Sequence, residues 1–360
     1  MNNKQQVRTP QSRLRYRKIA LWSVALMVSL AMLLPLGGYL YIGMQDADAQ
    51  AIEQTNPRAN FWRAVRGGDN GYSSVPGAER GVLIQNGGNN WRQLRNGYVA
   101  NYGGWALVLT LIAITVFFAF KRTIPIEGGR SGVRVKRWNA FERVLHWATA
   151  ASFFVLTITG LSMLFGRVVL IPLMGPEGFA AWAGLAIEVH NKVGPVFGFL
   201  VVLMIVLWMR HNIPNATDFK WLKSGGGIVG NAHPDAGFAN GGEKVWFWFI
   251  CTAGLAVVAS GLVLNFPNWG FVRSEMQVAN LIHGVGSMAW VAMWFGHAYI
   301  GSIGSEGSLE GMTTGYVDEN WAEQHHNLWV QELQGTNAQP QDGGSQGGPD
   351  GDTLVKGSPA

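Results

Sequence analysis

The chain has 360 residues, of which 48% are hydrophobic and only 14% charged, with a formal net charge of +5. A soluble domain usually carries about a quarter charged residues, so this balance excludes an ordinary water-soluble globule. The positive excess is spread over loops rather than gathered on one face, so it does not describe a nucleic-acid platform.

Taken in chain order, six runs lack Asp, Glu, Lys and Arg: 21–44, 101–120, 144–165, 193–209, 245–266 and 277–303. Each is 17 residues or longer, roughly what a helix rising ~1.5 Å per residue needs to cross a ~30 Å hydrocarbon layer. The fold class expected is an all-α integral membrane protein. Residues 1–44 read in two ways. The basic leader, the Pro35 and Gly37–Gly38 break and the small-residue pattern Ala47-x-Ala49 or Ala49-x-Ala51 suit a signal peptide, and the full apolar run suits a retained first transmembrane helix. Residues 45–100, with "NPRANFWRAVRGG" and "NNWRQLRNGYV", read as a periplasmic extension without a catalytic constellation. Residues 101–121 form a transmembrane helix and 122–143 a basic loop. The four spans of 144–303 form the core, 304–334 a cytoplasmic segment, and 335–360, which lacks apolar periodicity, a disordered tail.

Lys and Arg crowd the segment before the first run, the 122–143 loop and the 210–244 loop, whereas 167–192 and 267–276 hold few. By the positive-inside rule the former, and the C-terminus, are cytoplasmic. "SGGGIVGNAHPDAGFANGG" (224–242) reads as a loop of little regular structure. Cys251 stands alone, which excludes a disulfide framework, an iron–sulfur ligand set and a C-x-x-C-H haem attachment.

Ionisable groups at membrane depth are expensive, so the histidines are sorted by depth. In "LIHGVGSMAWVAMWFGHAYIG", His283 and His297 are fourteen residues apart. That interval is about 21 Å along a helix axis and about 1400° of rotation, within about 40° of four full turns. Both imidazoles leave one face, one near each membrane surface. His146 matches His297 in height on the cytoplasmic side, and His190 matches His283 on the periplasmic side. Two pairs at two depths suit two b haems with irons about 20 Å apart, because haem iron accepts neutral imidazoles above and below the porphyrin. Zinc, by contrast, wants its ligands clustered at one point. Gly160, Gly194, Gly198, Gly284, Gly286 and Gly296 leave room for a flat macrocycle or for close helix packing. His211, in "RHNIP", is the rival to His146 for the cytoplasmic haem, and otherwise an interfacial or propionate neighbour. His233, His325 and His326 read as solvated.

These residues carry a family resemblance. "RWNAFERVLHWATAASFFVLTITGLSMLF" and "VHNKVGPVFGFLVVLMIVLWMRHNIP" resemble the first two core helices of the cytochrome b (gamma) subunit of respiratory formate dehydrogenases. "NGGEKVWFWFICTAGLAVVASGLVLNFP" and "LIHGVGSMAWVAMWFGHAYIGSIGSEGSLEGMTTGYVDENWAEQHHNLW" are similar to the last two and the segment after them. The resemblance spans roughly residues 130–333. It implies a four-helix dihaem core with one or two extra N-terminal helices. His190 and His283 would hold the periplasmic haem, and His146 and His297 the cytoplasmic one. A quinone would bind beside the latter at "NGGEK", through Asn240, Gly242 and Glu243, with a glutamate where the family has an amide. The bland reading of that stretch is a helix start, with Asn240 as cap and Lys244 as an interface anchor.

The resemblance further implies an electron-transfer subunit in the bacterial inner membrane. Its partners would be an iron–sulfur subunit, touched by Glu188, Lys192 and Arg273, and a molybdenum or tungsten catalytic subunit that oxidises formate. Service to a nickel–iron hydrogenase or a thiosulfate reductase is the alternative. A haem-free transporter or anchor, with the histidines relaying protons, is the reading from another class.

Overall fold

The computed structural model describes residues 68–74, 80–84, 86–227, 233–338 and 354–356. The run at 21–44, and with it the choice between signal and anchor, lies outside the described residues. Within them, five helices are long and apolar enough to cross a membrane: Gly87–Lys121, Ala140–Val169, Ile171–His211, Gly241–Asn265 and Arg273–Gly304. Four of them contain one of the remaining charge-free runs whole, and Gly241–Asn265 contains 245–266 except its last residue, Phe266.

Two compact units divide the described chain, one holding residues up to Val116 with Leu161–Gly184, the other Phe117–Gly160 and the residues from Leu185 on. In the first, β1 (Asp69–Asn70) pairs antiparallel with β2 (Val82–Ile84). Helix α1 (Asn86–Gln93) runs through a π-helical stretch, Leu94–Val99, into α2 (Ala100–Lys121). The helix of this span therefore starts well before residue 101, inside the segment expected as an extension. Asn- and Gly-rich sequence has weak helix propensity, so "NGGNNWRQ" sent no local signal.

Helix α3 (Ala140–Val169) is followed almost at once by α4 (Ile171–Trp208). The stretch 167–192, expected as a loop, is thus mostly helical. Gly175, at φ 76°, makes the one non-helical turn in α4, a conformation in which a Cβ would be strained. Glu188 and Lys192 pair across one turn at 2.6 Å, which supports helix beyond the apolar run. Counting uncharged residues finds the part of a helix that lipid can hold, not the turns that continue into water.

In the second unit, α5 (Ala216–Lys223) and α6 (Gly241–Phe249) each begin with a reciprocal capping box, Asn215 with Asp218 and Asn240 with Glu243. A π-helical turn, Ile250–Gly254, joins α6 to α7 (Leu255–Asn265), and α8 (Arg273–Tyr299) returns antiparallel to it. The α7–α8 contact is close because Gly286 meets the Val257 side chain and Gly254 meets the Trp290 ring, positions where a Cβ would crowd its neighbour. Phe153, Phe197 and Trp290, from α3, α4 and α8, are buried and pack ring against ring at 5.4–5.9 Å. Phe199, Val202 and Val206 of α4 are exposed, as suits a surface solvated by lipid rather than water.

Beyond the helix ends a small mixed layer forms. Strand β3 (Val133–Lys136) lies between β4 (Tyr316–Asp318) and β5 (Leu354–Lys356), antiparallel to both. Helix α9 (Ser308–Thr313) precedes β4, and α10 (Glu319–Ala338) follows it. Ile126, Val135, Val317, Trp321, Ala322, Trp329 and Val330 form the core of this layer. Of the stretch expected as a disordered tail, 335–338 continue α10 and 354–356 make β5; the rest lies outside the described residues.

Candidate functional site

Helices α3, α4 and α8 bring four histidines together in two pairs. The His146 and His297 ring centres are 6.2 Å apart, and those of His190 and His283 are 6.1 Å apart. Two imidazoles bound axially to one iron, each nitrogen about 2 Å from the metal, have ring centres about 6 Å apart. Both pairs have that separation.

The Nδ1 atoms of these rings also fit. His283 Nδ1–H donates to Val257 O at 2.9 Å. A carbonyl only accepts, so Nδ1 carries the proton and Nε2 keeps its lone pair for a metal. Thr159 Oγ1 donates to Val155 O at 2.8 Å and lies 2.9 Å from His190 Nδ1. With its own proton committed to the carbonyl, this hydroxyl accepts from Nδ1–H, and His190 Nε2 is likewise left basic. His146 Nδ1 is buried without a hydrogen-bond partner. Trp246 stacks on His297 with ring centres 4.8 Å apart and planes 11° from parallel.

The glycines separate by role. A Cβ on Gly160 would lie 3.3 Å from His190 Cε1, and one on Gly261 would lie 2.9 Å from His283 Cε1, so each imidazole rests on a bare backbone. Gly194 and Gly296 have nothing within 4 Å of where a Cβ would be, which leaves space beside a ligand of each pair. Gly198 packs against Val258 and Gly286 against Val257, as helix contacts. Gly261 was not singled out from the sequence, since its role appears only once α7 is set against α8. Among the described residues, no three of His, Cys, Asp and Glu converge as a metal site would need. Paired imidazoles leave a tetrahedral ion short of ligands, whereas a porphyrin brings its own four nitrogens.

His211 takes no part in either pair. Its Nε2 accepts from Arg210 Nε–H at 2.9 Å and its ring lies on Phe238 at 4.2 Å. Asn240 and Glu243 cap α6 reciprocally at 3.0 Å each way, so the helix-start reading of Asn240 is what the backbone shows. Gly242 faces the Trp221 ring. Glu243 also receives Arg137, whose guanidinium donates to Oε1 at 2.9 Å and Oε2 at 3.2 Å.

Two residues differ from expectation. Lys244 is buried rather than an interface anchor, pairing with Asp218 at 2.9 Å and donating to Ile213 O. His326, expected to be solvated, is 1% exposed, with Nδ1–H donating to Gly237 O at 2.8 Å. Burial, with Arg137 beside it, pushes its imidazole pKa down to about 3. Arg137, buried between Glu243 and three aromatic rings, was missed outright, because in sequence it is one more cation of a basic loop.

Residues 137–315 match the model of the prokaryotic cytochrome b561 family. Through this segment the chain belongs to that family. The formate dehydrogenase cytochrome b556(fdo) subunit of Escherichia coli K12 is 29% identical over 206 residues, covering 56% of this chain and 94% of the relative. The nitrate-inducible formate dehydrogenase cytochrome b556(Fdn) subunit of the same strain is 26% identical over 209 residues, covering 56% and 92%. The formate dehydrogenase cytochrome b556 subunit of Haemophilus influenzae is 26% identical, covering 55% and 83%. A cytochrome b561 domain binds haem b and carries electrons, and with its apolar helices this chain is a multi-pass membrane protein. All four paired histidines lie within the matched segment.

Proposed function

We propose that this cytochrome is the membrane-anchoring dihaem subunit of a periplasm-facing formate dehydrogenase, passing electrons from an iron–sulfur subunit to the quinone pool. The observation that carries the reading is the pair of imidazole pairs, each at axial-ligand separation and set fourteen residues apart along α8. His190 and His283 hold the periplasmic haem, and His146 and His297 the cytoplasmic one. The haems, when bound, supply one-electron carriage. The protein's part is to aim the four imidazoles, fix the tautomers of His190 and His283 through Thr159 and Val257 O, and keep water out with Phe153, Phe197 and Trp290.

The basic loops support a bacterial inner-membrane topology with a cytoplasmic C-terminus. Exposed Glu188 and Lys192, with Arg273, stand at the periplasmic end where the iron–sulfur subunit docks. Asn240, Gly242 and Glu243 flank the quinone beside the cytoplasmic haem. Inward electron flow then works against an inside-negative membrane potential at about 2.3 kcal/mol per charge per 100 mV. The formate oxidation itself belongs to a molybdenum or tungsten catalytic subunit. A hydrogenase or thiosulfate reductase partner would use the same wiring; the names of the relatives favour formate.

The test is purification of the chain with its partners, followed by haem quantification and redox titration. Two haem b per chain are expected, with His190→Ala and His283→Ala losing one of them and His146→Ala and His297→Ala the other. A single haem, or loss of one haem by His211→Ala and not His146→Ala, overturns the assignment. A hydrogenase large subunit in place of a formate-oxidising one overturns the partner.

A further inference from the structure

Away from the paired imidazoles, titratable side chains gather in the mixed layer and lead towards the start of α6. At the outer end stands Glu127, its side chain 64% exposed, which accepts from His233 Nε2–H at 2.8 Å. The His233 ring lies 6.4 Å from that of His325, edge to face. His325 and His326 are consecutive and both rest on Trp321, at 5.2 Å and 5.1 Å. His326 Nε2 then faces Glu243 Oε2 at 3.9 Å. A water that bridges two polar atoms spans about 5.5 Å, enough to cover the 3.9 Å between His326 Nε2 and Glu243 Oε2.

The inner end is arranged in an unusual way. His326 Nδ1–H is spent on Gly237 O, so in the neutral imidazole Nε2 is a lone pair pointed at a carboxylate oxygen. Two acceptors face each other and are short by one proton. Arg137, 6% exposed and held by Glu243, Phe238 O and the Trp138, Phe238 and Trp321 rings, opposes a proton that stays. The charge of Glu243 draws a proton towards the gap, and Arg137, donating to both Glu243 oxygens, keeps it from staying on either group. The chain geometry that aims the ring is built for it: α10 breaks at His326 (φ −149°, ψ 43°). The facing loop is pinned to α10 by Ala236 N–H on Asn327 Oδ1 and by Leu328 N–H on Ala236 O.

We propose that Glu127, His233, His325 and His326 form a proton-uptake line that feeds Glu243 when the quinone beside it is reduced. The proposal rests on the quinone reading of Asn240–Glu243. Reduction of one quinone takes two electrons, delivered through the cytochrome, and two protons, and yields one quinol. Each proton leaves water at Glu127, crosses the imidazoles, passes from His326 Nε2 to Glu243 Oε2 and ends on a quinone oxygen. Every imidazole returns to its neutral form, and nothing else is oxidised or reduced. Burial holds the His325 pKa down at about 4, with His233 next in effect, and the His326 pKa at about 3, with Arg137 next in effect. Neither ring therefore traps the proton at neutral pH, and the reduced quinone, a far stronger base, takes it. Arg137, just after β3, and Glu243, from α6, face these rings, and Glu127 and His233 face them from the loops.

The test uses the intact complex, with a short-chain benzoquinone or naphthoquinone as acceptor. His233→Ala, at the accessible end, and His326→Gln, at the buried end, are each expected to keep both haem spectra and the rate of haem reduction by formate. Each slows quinol formation roughly tenfold or more, with the deficit growing from about pH 6 to about pH 9 as protons become scarce. Added imidazole restores His233→Ala. A merely structural role would lower activity without that pH trend or rescue. If His326→Gln does not fold, His233→Ala decides alone. Wild-type quinol formation alongside unimpaired variants overturns the line and leaves the acceptor reading standing. A wild-type complex that reduces its haems but no quinone overturns both.

Discussion

Among single residues, Thr159 shows how much of the site lies one bond behind the ligand. It is 5% exposed, and its hydroxyl is the acceptor that fixes the His190 tautomer. Thr159→Val keeps the volume and removes the acceptor, leaving a buried N–H without a partner. Such a loss behind a metal-bound imidazole typically costs about 10–100-fold in metal affinity. Haem titration into the apoprotein should show one of two b-type components binding more weakly by about that factor, with the other unchanged and Thr159→Ser close to wild type. Equal binding of both components in Thr159→Val would remove Thr159 from the site. The sequence carried no flag for this residue. A threonine in an apolar helix is common, and its importance depends on which helix faces it.

Among elements, legibility follows solvent. The helices in lipid were visible beforehand because hydrocarbon tolerates neither charge nor unpaired backbone, so 144–165 and 277–303 fall inside described helices and 245–266 overruns its helix by one residue. The ends were not visible, because outside the hydrocarbon a helix such as the start of α4 tolerates Glu177 and Glu188. The mixed layer was the least legible part. Its core draws on residues 126–135, 317–322 and 329–330, and no periodicity links segments so far apart. His326 looked solvated in "WAEQHHNLW" for that reason alone.

Its burial in α10 has a consequence for pH. The folded pKa is about 3 against an ordinary 6.5, so between those values the unfolded chain binds a proton that the folded layer refuses. The layer's stability is therefore complete above about pH 6.5 and falls as pH falls, on the order of 1 kcal/mol per pH unit for this one group. His325, pushed down to about 4, acts in the same direction. Limited proteolysis should cut α10 faster at pH 5 than at pH 7.5, and His326→Gln should flatten the difference. A cutting rate that does not change with pH in the wild type would mean that His326 is not held neutral.

For the whole molecule, the decisive quantity is direction. Phe153, Phe197 and Trp290 each lie seven residues from a paired histidine of the same helix, so the proposed wiring turns one pair towards each side of the membrane and has a sense only if the sides are known. The basic loop 122–143 fixes them in our reading: it packs with β4 and α10, so the whole mixed layer shares its side. The turn at Pro267–Trp269, between α7 and α8, is then on the other. With the native Cys251 replaced by Ser, a thiol introduced by Ser131→Cys should react with a membrane-impermeant maleimide only in inverted vesicles. One introduced by Asn268→Cys should react only in right-side-out vesicles or whole spheroplasts. The reverse pattern would place the Glu243 end in the periplasm, and quinone reduction there would release no charge separation of the kind proposed. Labelling of both positions from one side would be worse for the reading, since α8 could not then span the bilayer and its two histidines could not serve haems at two depths.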